Sequence, residues 1–299
     1  MVIVSPEFAV SISTLYAMGA LYLVLAVASA CVSLWVAPPS QLRQQVNSWW
    51  FLFPVVSVSL LWYRVGPILL TLLIAWLAER ELALHHATPR WRFRLLCVAL
   101  MLVLTALALL GDSTATRVLP WLVLMQALHF GLRRQRSQLL LLLFLLLCYG
   151  LSFVPRLLSL PLSPEVLSAW LFYLFALTAL NDIAQFICGK SFGRHKLAKR
   201  ISPNKTWQGL VGGVVVSTMV SVALGQYLQL ATMGQLVALA WLLSLGGFFG
   251  DLAFSAAKRY LGIKDFSQLI PGHGGILDRV DSLVLTAPLL YCALQATKL

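Results

Sequence analysis

Apolar runs of bilayer-crossing length recur along this chain, and they leave few folds open to it. A helix needs about 20 such residues to cross the hydrocarbon layer. Candidate spans cover residues 8–36, 49–61, 66–77, 95–110, 118–132, 139–153, 166–180, 210–228, 236–250 and 279–296. The second and third are short, so Trp62-Tyr63-Arg64 between them reads as a tight interfacial turn, part of a re-entrant pair or an irregularity in one helix. Hydrophobic residues make up 60% of the chain and charged ones only 11%, against roughly a quarter charged in an average soluble domain. A soluble core of this size would leave many of those apolar faces in water. The chain is therefore expected to be all-α, a polytopic transmembrane bundle of about 9–10 helices.

Charge placement refines that picture. Basic clusters at Arg90/Arg92/Arg94, Arg133/Arg134/Arg136, 190–205 and 258–264 are each separated by two expected spans. All four then fall on one side, which the positive-inside rule makes cytoplasmic. The net charge of +12 fits topology and anionic-lipid contacts. It does not form the continuous basic face that nucleic acid would need, so no nucleic-acid partner is expected. Met1 to Glu7 carry no lysine or arginine ahead of the first apolar run, which predicts a retained helix rather than a cleaved signal. The five cysteines (Cys31, Cys97, Cys148, Cys188, Cys292) stand singly and show neither metal spacing nor a disulfide framework.

The chemistry is uneven along the chain. Five of the six aspartates lie between Asp182 and Asp281, where carboxylates are costly beside a membrane and call for a function. The chain divides into an N-terminal membrane region, 1–180, with little visible chemistry, and a C-terminal catalytic region, 181–299. The latter holds two polar segments, 181–208 and 251–277.

Asp251 ends an apolar run and Asp278 begins the last one, so both are expected at the cytoplasmic edge of helices. Mg²⁺ prefers one or two protein carboxylates plus phosphate oxygens, which makes this pair the candidate metal ligands. Asp281, at i+3 from Asp278, would share its face. Structural pairing with Arg279, Lys258 and Arg259 is the competing interpretation. Lys258, Arg259 and Lys264 supply positive charge for phosphates, although a topology-setting loop would need the same charge. Pro271-Gly272-His273-Gly274-Gly275 permits close backbone approach and can aim N–H groups at an anion; a plain surface turn could look similar. His273 is a candidate phosphate contact or acid–base group. Ser202, Lys205 and Thr206 precede another span, where a helix N-terminus favours anions, or where capping would suffice. Gly189-Lys190-Ser191 is not a P-loop, because Ala184 stands where that motif requires its leading glycine.

One long pattern is specific: Ser255-x-x-Lys258-Arg259-x4-Lys264-Asp265-x-Ser267-x2-Ile270-Pro271-x-His273-Gly274-Gly275-Ile276-x-Asp278-Arg279-x-Asp281. It closely resembles the signature of the CDP-diacylglycerol synthases (phosphatidate cytidylyltransferases). Gly189-x2-Phe192-Gly193-Arg194-His195-Lys196-Leu197 and Ile201-Ser202-Pro203-x-Lys205-Thr206-Trp207-x-Gly209 resemble that family's upstream segment. The resemblance runs from about Leu180 to the C-terminus and is only topological before it. It implies a polytopic enzyme of the bacterial inner membrane, often dimeric, with a cytoplasm-facing polar funnel. It also implies transfer of CMP from CTP to phosphatidate or a related lipid phosphate, with Mg²⁺ and an open question over a monovalent cation. Asp251 and Asp278 match the family's metal positions. Lys258, Arg259, His273 and Asp281 match catalytic-site positions, while Ser255, Lys264, Gly274, Gly275 and Asp182 complete the expected substrate surroundings.

The chain also departs from the family. Asp182-Ile183-Ala184-Gln185-Phe186 stands where Asp-Thr/Ser-Gly-Ala-Tyr is usual, and Ala257 replaces a larger apolar residue. The first change removes a hydroxyl and a glycine beside Asp182. A catalytically weak paralogue acting as a membrane partner or regulator therefore stays open, and carboxylates in a membrane chain separately leave open a transporter or ion channel. The residues themselves favour phosphoryl chemistry. A lipid phosphate is already an anionic nucleophile, so positioning and charge neutralisation suffice without a strong base.

Overall fold

Helix α7 (Pro164–Phe192) is the central column of the protein. Its Trp170, Leu171, Phe172, Tyr173 and Leu174 are all buried. The computed structural model describes residues 10–37, 40–86, 90–109 and 114–297. Met1 to Glu7, whose composition bears on targeting, lie outside the described residues.

Before α7 come α1 (Ile12–Trp35), α2 (Gln41–Leu61), α3 (Val65–Leu84), α4 (Arg90–Leu109), α5 (Thr114–Arg133) and α6 (Arg136–Leu157). After it come a hairpin of β1 (Lys196–Ala198) and β2 (Ser202–Thr206), then α8 (Trp207–Tyr227), α9 (Met233–Leu261), α10 (Leu277–Val280) and α11 (Leu283–Thr297). The two strands are antiparallel. Since α10 and α11 form one interrupted helix, the described residues build a bundle of ten, with almost no sheet.

Six of these helices are long and apolar enough to cross a membrane: α1, α6, α7, α8, α9 and the combined 277–297 unit. The protein is an integral membrane protein of all-α architecture. The two short sequence spans, 49–61 and 66–77, are parts of longer helices, α2 and α3. Trp62-Tyr63-Arg64 is the tight turn between them, with Arg64 at φ 61°. The helices exceed the apolar runs because their ends carry polar residues, as at Arg80 and Glu81.

Helices α7 and α9 each contain 29 residues, or about 43 Å at 1.5 Å per residue. Asp182 and Asp251 each come eighteen residues after the first residue of their helix. Both carboxylates are thus about 27 Å along, close to the limit of a hydrocarbon layer of about 30 Å. Asp251 ends the apolar run, but its helix continues to Leu261.

Small residues bring these helices together. Gly209, Gly213, Ser217, Ser221 and Gly225 form the buried stripe of α8, at the four-residue spacing that suits close packing in lipid. Ser217 donates to Asn181 Oδ1 at 3.1 Å, next to Asp182. A Cβ on Gly213 would come within 2.3 Å of Gln185 Cγ, and one on Gly250 within 2.4 Å of the Asp281 carbonyl oxygen. The latter contact is with backbone, which cannot rotate away. Alanine normally gains about 1 kcal/mol over glycine inside a helix, yet overpacking costs about 1–3 kcal/mol. Gly250→Ala should therefore lower the melting temperature in detergent. An unchanged or raised value would show that α9 and the Asp281 turn are not in such close contact.

Candidate active site

The polar residues of the C-terminal region form two linked centres. In the first, Asp182 from α7, Asp251 from α9 and Asp281 from the turn between α10 and α11 interact electrostatically. Lys205, at the end of β2, pairs with Asp251 at 2.8 Å. Its ammonium also donates to the Phe248 carbonyl at 3.2 Å and lies 4.4 Å from the Phe248 ring centroid. Ser255, one helical turn beyond Asp251, donates to it at 3.0 Å. Gly250 makes this meeting of α9 with Asp281 sterically feasible.

Asp278 is the second centre. Its Oδ1 accepts from Lys258 at 2.7 Å, and its Oδ2 accepts the Phe266 and Gly275 N–H groups at 3.1 and 2.9 Å. Only 3% of its side chain is exposed. Asp278 thus has protein donors on both oxygens, as Asp251 has from Lys205 and Ser255, but two of its donors are backbone N–H groups of the loop. Asp281 follows α10 at a turn over 281–282 and keeps helical backbone angles. Lys258 links the centres: it pairs with Asp278 and lies within electrostatic range of Asp281.

The glycine loop turns its donors onto the protein's own acids. Gly274 has φ 84°, and a Cβ there would sit 2.8 Å from Asp278 Oδ2. At Gly275 a Cβ would meet the Glu81 carboxylate within 2.4 Å. Glu81, at the end of α3, is 3% exposed. It accepts from Ser267 Oγ at 2.6 Å and from the Ile276 and Leu277 N–H groups at 2.8 and 3.1 Å. These are N–H groups at the start of α10, where an anion satisfies free donors.

Glu81 belongs to the region in which the sequence showed little chemistry. So do Ser48, which donates to the Pro271 carbonyl at 2.6 Å, and Gln45, which donates to that of Gly272 at 3.0 Å. His85 Nε2 adds a 2.7 Å contact to the Phe266 carbonyl. The separation of 1–180 from 181–299 is therefore not a separation of roles, since α2 and α3 hold the signature loop. A glutamate inside an apolar helix was the available signal for Glu81. Its partners are nearly two hundred residues away, so spacing could not identify them.

Other candidates are dispersed. Arg259 donates to the Ile201 and Ile263 carbonyls at 3.0 and 3.2 Å, tying the hairpin to the end of α9. Thr206 caps α8 by accepting from the Gly209 N–H at 3.1 Å, the capping role its position allowed. Ser202 lies half-buried in β2, and Lys264 and Asp265 are exposed. Among the described residues no cysteine is in a disulfide. Cys97 and Cys148 are buried, but Cys31 and Cys292 are exposed.

His273, in the loop, is 7% exposed and stands edge-on to Trp49 with centroids 5.9 Å apart. Burial pushes its imidazole down to about 4, with help from the Arg279 guanidinium and opposition from the Pro271 carbonyl. It is neutral at pH 7. Because the unfolded chain takes up this proton first, stability should fall as pH drops from about 6.5 to about 4. Melting curves should show that His273→Gln removes this part of the slope; an identical slope would reject the assignment.

Removing the Glu81 carboxylate would strand two backbone donors and a hydroxyl. At about 1–3 kcal/mol for each unsatisfied buried group, Glu81→Ala should destabilise the loop by several kcal/mol. Glu81→Gln, which retains an acceptor oxygen, should cost less. Equal melting temperatures for wild type and Glu81→Ala would refute this latch.

Comparison with known proteins agrees with this architecture. The profile of the cytidylyltransferase family matches residues 43–297. An uncharacterized Escherichia coli protein, YnbB, is 32% identical over 94% of this chain and 96% of its own length. A phosphatidate cytidylyltransferase of Brucella suis is 44% identical over 119 residues, which are 40% of this chain and 44% of that enzyme. One from Staphylococcus aureus is 41% identical over 122 residues, 40% of this chain and 47% of that enzyme. With more than four-fifths of its length matched by the profile, the chain belongs to the cytidylyltransferase family, as an integral membrane member.

Proposed function

We propose that this protein transfers CMP from CTP to phosphatidate or a closely related lipid phosphate, forming CDP-diacylglycerol and pyrophosphate. The observation that carries the proposal is the convergence of Asp182, Asp251 and Asp281 with Lys205 and Lys258 near the end of the apolar spans. A lipid phosphate can reach that depth from the bilayer, while a nucleotide can enter from water. The basic clusters favour the cytoplasmic side of a bacterial inner membrane.

In the transfer, a phosphate oxygen of the lipid forms a bond to the α-phosphorus of CTP. The bond from that phosphorus to the bridging oxygen of the β-phosphate breaks, and pyrophosphate leaves with the electron pair. Lys205 and Lys258 are suited to oppose charge on the two reacting phosphates. Asp278 and Glu81 hold the loop backbone, and Asp278 also positions the Lys258 ammonium.

The chemistry of the donors fits Mg²⁺. Asp251 and Asp281 offer hard oxygen ligands, with Asp182 beside them. Among the described residues no three acidic, histidine or cysteine side chains enclose an ion by themselves, whereas Mg²⁺ commonly completes its shell with phosphate oxygens and water. When bound, it would neutralise phosphate charge and align the reacting groups. Asp278, matched by resemblance to a ligand position, meets Lys258 and two loop N–H groups, as Asp251 meets Lys205 and Ser255, and it is kept beside Asp251 as a candidate ligand.

A weakly active paralogue is the second reading, and residues 183–186 favour it. Ala184 is buried in α7 and Gln185 packs on Gly213, so the family's missing hydroxyl and glycine alter the helix beside Asp182. One assay separates the readings: purified protein with CTP, Mg²⁺ and a panel of lipid phosphates should yield CDP-lipid and pyrophosphate. No product with any acceptor would overturn the transferase proposal. Asp251→Asn should reduce turnover at least about 100-fold while preserving membrane insertion; near-normal turnover would remove Asp251 from the site.

A further inference from the structure

Between α2 and the loop from α9 to α10 lies an open cavity of about 570 Å³. That lies within the roughly 300–1,000 Å³ range of small-molecule sites. Gln44 and Gln45 line it from α2, with Lys264, Asp265, Gln268, His273 and Arg279 opposite. Lys264 and Arg279 form no ion pair among the described residues. His273 Nδ1 is buried without a hydrogen-bond partner, an arrangement that a bound molecule or water would satisfy. The cavity thus offers two cations and neutral polar groups around a single carboxylate, Asp265, a mixture with donors for phosphate and acceptors for a base.

Gln45 makes this general chemistry selective. Its Nε2 donates to the Gly272 carbonyl at 3.0 Å, which settles the orientation of the amide. Its Oε1 accepts no hydrogen bond among the described residues and remains an acceptor at the cavity wall. The 4-amino group of cytosine can donate to such an oxygen. The 4-carbonyl of uracil would oppose it, lone pair against lone pair.

We propose that this cavity receives the base of the nucleotide and that Gln45 determines its specificity, with Oε1 accepting the 4-amino group. The inference rests on the proposed use of CTP and extends it to a helix outside the signature segment. Rotating the amide to suit uracil would sacrifice the bond to Gly272. The same glutamine therefore holds the loop and selects the base.

The test uses the full-length protein in detergent micelles with Mg²⁺. Binding is measured for CTP, for UTP and for the pyrimidin-2-one riboside triphosphate, which lacks the 4-amino group. Wild type should bind CTP at least about tenfold more tightly than either analogue. Gln45→Met should reduce that preference to near unity, whereas Gln45→Glu, which keeps an acceptor at similar reach, should preserve it. Equal binding of CTP and the pyrimidinone by wild type would overturn the proposal without recourse to any variant. So would undiminished preference in folded Gln45→Met, or an absence of nucleotide binding. Parallel assays of CDP-lipid formation separate the two readings. Selective binding without transfer would support the base site and sink the transferase reading, and transfer without base selectivity would do the reverse.

Discussion

Carboxylates near a bilayer must be neutralised largely by the protein, because water is scarce there and an uncompensated charge is expensive. This requirement organises the C-terminal bundle. Lys205 answers Asp251, Lys258 answers Asp278, and backbone N–H groups at helix and loop ends complete the shells of Asp278 and Glu81. The ion pairs tie β2 and α10 to α9, and the bonds to Phe266 and Gly275 N–H hold a segment without regular secondary structure. The loop from 262 to 276 is ordered around buried acids.

Close helix packing makes that arrangement attainable. Lipid supplies no hydrophobic drive between helices, so contact depends on shape and small residues. Gly213 admits Gln185 beside Asp182, Gly250 admits the Asp281 backbone, and Gly150 of α6 approaches Val284 of α11. The acids converge because three helices can approach at these points. Steric and electrostatic demands therefore meet at neighbouring positions. Gly250 directly precedes Asp251, and Asn181, bonded to Ser217 of α8, directly precedes Asp182.

Much of the functional segment was legible in sequence. Interspersed Asp, Lys, Arg and Gly residues stand out against an apolar background, and their long spacing pattern resembles one family. The partners of Asp278 were less legible. Its spacing resembled that of a metal ligand, while its actual neighbours include two backbone donors that no side-chain pattern reveals. Asp281 was expected beside Asp278, and its electrostatic partners Asp182 and Asp251 come from other helices, which spacing along one helix does not reveal. Thr206 illustrates the same ambiguity, since capping and phosphate contact require the same residue at the same helix start.

By itself the sequence determined a membrane-embedded helical protein, because apolar length and rare charge permit little else in water. It also determined which segment concentrates carboxylates, cations and glycines, since those residue types and their order are local properties. Only the tertiary structure decided that α2 and α3 hold that segment. Glu81, Ser48 and Gln45 reach it across more than half of the chain, and their partners are largely main-chain groups. Backbone donors and carbonyls are common to all residues, so their pairing is set by folding geometry rather than by a readable pattern of side chains.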